Sequence, residues 1–298
     1  EVDSAGNLVL AVGSGEPTVV FVAHMDEVGF VVRGVVEDGT LELEPLGGLF
    51  PSLWEGRPAL VHTGSGTVPG VFQPRAVEAP AVRQPPALRV DLGSGSRAGT
   101  EALGVRPGHT VTNPKEYTRL AGYRAAARSF DDRAGSTAQL LAVRRLDPAR
   151  LRHRVVFIWS TREEIGLEGA RAAARALGSR TARVHAVDTF VSSDSPLEPK
   201  SFALAPLGAG PVARALDNSS VTPPALLDSL ATLARRRGIP LQVGTTNGGN
   251  DGSAFGDYGV PNVPLGWPLR YSHSPVEVLD LRDVVRLAEL VLAVAEDW

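Results

Sequence analysis

The chain has 298 residues, 43% of them hydrophobic, which is enough for one large domain or two smaller ones with buried cores. Its formal net charge of −3 and pI of about 6.1 exclude the basic footprint of nucleic-acid-binding proteins, and no apolar run is long enough to predict a membrane span. The absence of cysteine excludes disulfides, thiolate nucleophiles and cysteine-type zinc sites, so any metal must be held by histidine and carboxylate side chains.

The N-terminal part of the chain predicts strands separated by polar residues. Residues 1–13 favour a strand pair rather than a starting tail, from which we expect a further segment upstream. Two apolar runs, at 19–23 and 28–36, predict buried strands joined through the sequence His24-Met25-Asp26-Glu27. Burying these polar side chains is costly unless they are paired or bind a cation. His24 and Asp26 fit a metal ligand and the carboxylate that fixes its tautomer; the alternative is a surface hairpin with a polar turn.

Residues 51–123 differ in character, because proline and glycine become dense and helical periodicity is weak. Short apolar runs between turn signals predict a small barrel or sandwich in this region. Its proline-rich part, 79–86, predicts an exposed loop or polyproline II segment. His62 and His109 lie in this region, and we interpret both as structural or surface residues.

Two pairs of adjacent acids follow this region. Asp131 and Asp132 precede a predicted helix, where they are either simple caps or groups that reach over a site. The apolar run 155–159 has the composition of a buried strand, and Glu163 and Glu164 come directly after it, before a helical stretch. A solvated pair that opens a helix is one interpretation. The other is a division of labour, in which one glutamate binds a metal and its neighbour is a general base.

The rest of the chain continues to alternate strands and helices. Asp188 interrupts the apolar strand predicted at 183–191, where a lone buried carboxylate would be costly without a cation. His273 falls where a strand gives way to a closing amphipathic helix. Between them the pattern predicts a strand at 201–207, a helix at 224–237, a strand at 241–244, and a glycine-rich loop at 248–255 that lacks the features of a phosphate-binding motif.

This order of elements predicts an α/β fold, a doubly wound mixed sheet flanked by helices with an inserted small β-barrel domain. The predicted domain boundaries are 1–50 together with 124–298, and 51–123 for the insert. In such a sheet, groups at the carboxyl ends of strands collect at one edge. Two histidines and three carboxylates there suit a pair of Zn²⁺ or Co²⁺ ions if one carboxylate bridges them.

Five segments carry a resemblance to a known family: HMDEVGFVV, SFDDRAG, STREEIGLEGA, AVDTFVSSDSP and RYSHSPVEV. In this order, and across nearly the whole chain, they resemble the motifs of the M42 metallo-aminopeptidases, the glutamyl and leucyl aminopeptidases of the tetrahedral type. The segments DLGSGSR and GVRPGHTV of the insert are also similar to that family. The loop GGNDGSAF departs from the more usual GGTDA-like form, and the resemblance implies a helical segment upstream of Glu1.

The resemblance implies a role for each candidate residue. The implied ligands of the two divalent ions, Zn²⁺ or Co²⁺, are His24 and Asp188 for one ion, Glu164 and His273 for the other, and Asp131 as the bridge. Glu163 would be the general base, and Asp26 the carboxylate that supports His24. The family also implies a cis peptide between Asp131 and Asp132.

The function implied by the resemblance is removal of N-terminal residues from short peptides by a metal-activated water. The family further implies a catalytic dinuclear peptidase domain, an oligomerisation or lid role for the insert, a homo-oligomer between dimer and dodecamer, and a cytoplasmic location. No nucleic-acid or membrane partner is expected. Alternatives are a related dipeptidase or deacylase, or a non-catalytic homologue used as an assembly scaffold. A glycosidase using Glu163 and a second acid leaves both histidines unexplained.

Overall fold

The computed structural model describes residues 1–75, 87–195 and 198–297, so the proline-rich segment predicted at 79–86 lies outside the described residues. The chain forms two compact units. The first comprises Glu1–Asp26, Tyr117–Ser272 and Val276–Trp298, and the second comprises Glu27–Glu116 and His273–Pro275. Among the helices of the described ranges, none has both the length and the apolar composition needed to cross a membrane.

The elements are numbered in chain order. The strands of the first half are β1 Leu8–Val12, β2 Thr18–His24, β3 Gly29–Val35, β4 Leu41–Leu46, β5 Pro58–Thr63, β6 Gly66–Phe72, β7 Arg89–Asp91, β8 Thr110–Thr112, β9 Thr118–Arg119 and β10 Arg124–Ala127. Those of the second half are β11 Val155–Ser160, β12 Thr181–Ala186, β13 Phe190–Val191, β14 Val212–Leu216, β15 Gln242–Thr245, β16 Leu265–Gly266, β17 Pro268–Leu269 and β18 Glu277–Asp280. The α-helices are α1 Arg97–Ala102, α2 Phe130–Arg145, α3 Glu168–Leu177, α4 Pro224–Arg237 and α5 Leu281–Asp297.

The first unit is built on a mixed sheet with the strand order β1-β11-β2-β12. β11 and β12 run parallel to β2, one on each side, and β1 pairs antiparallel with β11 at the edge. Single bridges continue this sheet from β12 toward β16, for example between Val187 and Leu265. β2 and β11 are buried along their whole length, as expected for central parallel strands that are covered on both faces.

Alternate side chains of the central strands belong to two hydrophobic layers. Phe21 and Phe157 point to the layer that contains α2, α4 and α5, and their rings stack with centroids 5.2 Å apart. Val22 and Ile158 point to the other layer, with α3 and the 3₁₀ helix Asp251–Tyr258. Each buried side chain of this kind contributes roughly 1.5–3 kcal/mol. This two-layered arrangement confirms the predicted α/β fold with helices on both faces.

The second unit contains a closed barrel with the strand order β3-β4-β7-β6-β5-β8, which confirms the predicted barrel. Its core includes Phe30, Trp54 and Phe72, and Trp54 meets the edge of the Phe30 ring with centroids 5.1 Å apart. The main segment of this unit is Glu27–Glu116, whereas the insert predicted from the sequence is 51–123. The difference arises because β3 and β4 pair with β8 and β7 of the barrel, not with the central sheet.

The helix predicted at 224–237 is present as α4. Two predicted strands, at 201–207 and 183–191, differ from the structure. Residues 201–207 do not form a strand. There the backbone bonds singly to different partners, with Ala203 N–H donating to Thr245 O and Ala205 N–H donating to the Ser192 hydroxyl. The strand predicted at 183–191 is likewise interrupted, because β12 ends at Ala186 and β13 begins at Phe190. Asp188 lies in this gap.

Candidate metal centre and active site

The carboxyl ends of β2 and β11 lie side by side. The two strands are parallel and in register, so that the last residue of β2, His24, is opposite the last residue of β11, Ser160. The residues that follow each strand therefore emerge at the same edge of the sheet, where ligands collect in α/β folds. This geometry brings Asp26 close to Glu163 and Glu164.

Asp26 links the ends of these two strands. Its Oδ1 accepts a hydrogen bond from Glu163 N–H at 3.0 Å, and its Oδ2 accepts one from Glu164 N–H at 3.1 Å. The same Oδ1 lies 3.6 Å from Nδ1 of His24. Burial works to raise the pKa of Asp26, but His24 and the two N–H groups outweigh it, so that the pKa lies below its ordinary value. One ionised carboxylate thus orients both a histidine and a pair of glutamates.

The start of α2 brings two more carboxylates to this edge. The Asp131–Asp132 peptide bond is cis, as the family resemblance implies. Oδ1 of Asp131 lies 3.2 Å from Nε2 of His24, and Oδ2 of Asp132 accepts a hydrogen bond from His24 N–H at 2.9 Å. On the other side, Asp131 N–H donates to Oε2 of Glu277 at 3.1 Å. His24 therefore contacts Asp131 through its ring and Asp132 through its backbone.

Two non-glycine residues with positive φ precede the acid pairs. Ser129 has φ of 62° just before Asp131, and Arg162 has φ of 56° just before Glu163. Side chains rarely adopt this left-handed conformation, and it costs about 1–3 kcal/mol where the surrounding structure holds it. Such residues are concentrated at functional sites.

Three of the predicted ligands converge. One ligand atom each from His24, Asp131 and Glu164 lies within 4.8 Å of the other two, which is close enough for ligands of one cation or of two bridged cations. Asp188 is not a member of this group, but its neighbour Thr189 donates a hydroxyl hydrogen bond to Oδ2 of Asp131 at 3.3 Å. The same Oδ2 accepts a hydrogen bond from the Ser272 hydroxyl at 3.2 Å.

The second candidate histidine ligand, His273, belongs to the second compact unit. His273 has φ of 59°, and its Nδ1 lies 2.6 Å from Gly48 O. Its role as a ligand stays a prediction. His62 and His109 are also in that unit, where His62 contacts the Thr112 hydroxyl at 2.9 Å and His109 accepts from Arg106 N–H at 3.3 Å.

The acids at this edge titrate abnormally in the absence of a cation. Burial, with the charges of Asp188, Asp251 and Glu164, raises the pKa of Glu163 to about 9. Burial also raises the pKa of Asp132 well above its ordinary value, and it raises that of Asp188 despite the opposing charge of Arg214. For His24, burial lowers the pKa, but the contacts with Asp131 and Asp26 outweigh it and the pKa is raised.

These residues fit a bound divalent cation. Several buried carboxylates lie together with one histidine, and like charges this close are unfavourable unless protons or a metal neutralise them. In the described ranges, Oδ1 of Asp132 has no hydrogen-bond partner although it is buried. Nitrogen and oxygen donors of this kind are typical ligands of zinc and cobalt.

Two further buried residues at this edge, Asp251 and Arg214, were not identified from the sequence. Asp251 is 2% exposed and accepts a hydrogen bond from the Ser160 hydroxyl at the end of β11. Burial raises the pKa of Asp251 to about 7. Arg214 on β14 is 4% exposed and lies 3.6 Å from Oδ1 of Asp188. The available signals were the acid inside GGNDGSAF and the cation inside the short apolar strand VARAL.

A sequence model of the family described as M42 glutamyl aminopeptidase matches residues 6–290. The chain belongs to this family. The match confirms the family and the aminopeptidase class expected from the five motifs.

Relatives of this M42 protein match it over its whole length. It is 30% identical to the lysyl aminopeptidase of Pyrococcus furiosus, with 100% of this chain and 86% of the relative covered. The structure of the Pyrococcus horikoshii TET1 peptidase, which can assemble into a tetrahedron or a large octahedral shell, is 34% identical. It matches with a TM-score of 0.90 over 100% of this chain and 89% of that one. An aminopeptidase structure from Desulfurococcus kamchatkensis is 29% identical, with a TM-score of 0.90 and coverage of 100% and 85%.

Proposed function

We propose that this M42 protein is a metal-dependent aminopeptidase that removes N-terminal residues from short peptides. The observation that carries the proposal is the convergence of His24, Asp131 and Glu164 at the carboxyl edge of the central sheet, with ligand atoms within 4.8 Å of one another. The burial of His24 and Asp131 beside further acids, with Glu164 half-buried, supports a resident cation.

The proposed ligand set follows the sequence motifs. His24 and Asp188 would hold one divalent ion, Glu164 and His273 the other, and Asp131 would be shared; Zn²⁺ and Co²⁺ suit these donors. Bound divalent ions lower the pKa of water and polarise a carbonyl oxygen. Asp26 supports this set because it fixes the His24 ring and the backbone of Glu164 together.

Glu163 is the proposed general base. Its side chain is half-buried, and its backbone is fixed by the hydrogen bond that its N–H donates to Asp26. Burial and the neighbouring acids favour the protonated form of this carboxyl and raise its pKa, whereas bound divalent ions would favour the ionised form, so that Glu163 could both take up and release a proton. Glu163 would take a proton from the attacking water and deliver it to the leaving nitrogen.

The charge at this edge suits the free amine of a peptide. With bound metal keeping them ionised, seven carboxyl groups here would carry more negative charge than two divalent ions and Arg214 supply. They belong to Asp26, Asp131, Asp132, Glu163, Glu164, Asp188 and Asp251. A substrate α-ammonium group would offset the excess, and an N-acetylated peptide would not. This difference supports an exopeptidase acting at the N-terminus.

The proposed quaternary state is a homo-oligomer in which the barrel unit contributes to assembly. The relative from Pyrococcus horikoshii forms closed shells, and it covers the whole of this chain at 34% identity. A closed shell would admit short peptides and exclude folded proteins. Light scattering on the purified protein tests this part, since a monomer would contradict it.

Hydrolysis of a panel of aminoacyl-anilides and short peptides tests the proposed activity. The protein is stripped with a chelator and then given Zn²⁺ or Co²⁺, and each substrate is compared with its N-acetylated form. We expect cleavage that returns with metal and requires the free amine. Cleavage of the acetylated forms would favour a deacylase, cleavage of dipeptides alone would favour a dipeptidase, and no cleavage with metal bound would favour a scaffold.

A further inference from the structure

Arg214 is a buried cation beside a predicted metal ligand. It lies on β14, is 4% exposed, and is not one of the residues assigned to the metal centre by its motifs. Burying a guanidinium group is costly unless every N–H group finds an acceptor. Its contacts therefore show what this side chain is arranged to hold.

The guanidinium group faces oxygen atoms on every side. Nε donates to Thr189 O at 3.0 Å, and Nη2 donates to the same carbonyl. Nη1 donates to Oδ2 of Asp217 at 3.1 Å and to Gly249 O at 3.0 Å. Nη2 also lies 3.6 Å from Oδ1 of Asp188. Arg214 thus holds both the carboxylate of Asp188 and the backbone of the residue after it.

Both contacts lead to predicted ligands. Oδ1 of Asp188 is engaged by Arg214 and by Thr189 N–H, whereas Oδ2 takes part in neither contact. Thr189 is fixed by its carbonyl, and its hydroxyl donates to Oδ2 of Asp131 at 3.3 Å. One side chain can therefore set the orientation of Asp188 directly and that of Asp131 through Thr189.

Asp217, the other acidic partner of Arg214, is itself held in place by hydrogen bonds. Oδ2 of Asp217 accepts from Nδ2 of Asn250 at 2.7 Å, and Oδ1 of Asn250 accepts from Nδ2 of Asn262 at 2.8 Å. Oδ1 of Asp217 accepts from Ser219 N–H at 2.8 Å. These bonds hold Asp217 in one position, and the guanidinium fork is held between it and Thr189.

The geometry points to Arg214 as a positioning residue that orients Asp188 and, through Thr189, Asp131 for metal binding. This inference rests on the proposed function, in which both aspartates are ligands. A lysine would keep the charge but not the planar fork, and so would lose most of the contacts. Residues that orient metal ligands typically change metal affinity by about 10–100-fold when they are replaced.

Metal titration of Arg214→Lys tests this role. Zn²⁺ affinity is measured by competition with a chromophoric chelator on metal-free protein, and the visible spectrum of the Co²⁺ form reports the coordination geometry. We expect Arg214→Lys to bind one of the two ions about 10–100-fold more weakly and to show an altered Co²⁺ spectrum. The matched control is Arg237→Lys on α4, whose guanidinium pairs with Glu296 at 3.3 Å; its metal affinity should equal that of the wild type.

A second variant keeps the test decisive. Asp217→Asn weakens the anchor behind Arg214 and should reduce affinity for the same ion by a smaller factor. It carries the test alone if Arg214→Lys does not fold. Wild-type affinities and spectra in the folded variants, even with lower thermal stability, would overturn the inference. A wild type that binds two ions but cleaves no peptide would overturn only the proposed function, and one that binds none would overturn both.

Discussion

Oδ1 of Asp26 lies 3.6 Å from Nδ1 of His24. Because both oxygens of Asp26 also accept backbone hydrogen bonds, from Glu163 and Glu164, this one carboxylate contacts one predicted ligand, the proposed general base and a second predicted ligand. The proposed site therefore depends on a residue that is itself neither a proposed metal ligand nor the proposed general base.

Asp26→Asn should weaken metal binding and turnover together. An amide group can accept only one of the two N–H bonds, and its NH₂ must then face the other donor. We expect metal affinity to fall by about 10–100-fold, with a parallel loss of kcat, as is usual when the partner of a ligating histidine is removed. Metal competition and steady-state kinetics measure both; unchanged affinity would contradict the role of Asp26.

Glu163→Gln should separate chemistry from metal binding. The variant keeps the size and burial of the side chain but cannot accept a proton, so kcat should fall by about 10²–10⁴-fold while metal content stays unchanged. Glu168→Gln is the matched control, because Glu168 is an exposed glutamate at the start of α3. Turnover near that of the wild type in Glu163→Gln would remove Glu163 from the mechanism.

Asp131→Asn should impair occupancy of both ions, since Asp131 is the proposed bridge. An amide has one oxygen and no charge, so it cannot replace a carboxylate between two cations. Elemental analysis should find fewer than two ions per chain, against full occupancy in Asp228→Asn, an exposed change on α4. Two tightly bound ions in Asp131→Asn would contradict the bridge.

Asp251→Asn should stabilise the metal-free protein at high pH. Burial raises the pKa of Asp251 to about 7, so the folded chain retains a proton that the unfolded chain releases near pH 4. The stability from this proton is present below about pH 4 and is lost as the pH rises toward about 7. Urea unfolding with chelator present measures this effect. The free energy of unfolding of the variant, relative to that of the wild type, should increase by roughly 2–3 kcal/mol from pH 5 to pH 8. A constant difference would contradict this account.

Gly135→Ala should damage both the fold and the site. A Cβ at this position would lie 2.1 Å from Oδ1 of Asp132 and 2.9 Å from Cζ3 of Trp267. Forcing it in should cost about 1–3 kcal/mol or more and displace Asp132, whose other oxygen holds His24 N–H. Gly256→Ala is the control, since a Cβ there meets no described heavy atom within 4 Å. Equal free energies of unfolding for the two variants would contradict the prediction.

The sequence predicts the convergence of His24, Asp131 and Glu164 because a strand end or helix start can be recognised locally and parallel strands share an edge. It does not predict that β3 and β4 join the barrel, because an apolar run shows burial but not which distant strand it pairs with. Asp251 and Arg214 were missed for a similar reason. Their importance comes from partners that are remote in the chain, Ser160 and Asp188.

The long separation between the ligands also bears on how the protein folds. His24 and Asp131 are 107 positions apart in the chain, and β2 meets β11 only after the whole second unit has been traversed. Contacts between residues so far apart in the sequence form late and slowly, because the long intervening chain must first be brought together at a cost in entropy. A bound cation therefore cannot nucleate the folding of a local loop. The zinc ion of a zinc finger can, because its ligands are close together in the sequence. We therefore expect the cation to bind after the sheet has assembled and to stabilise the protein mainly by slowing unfolding.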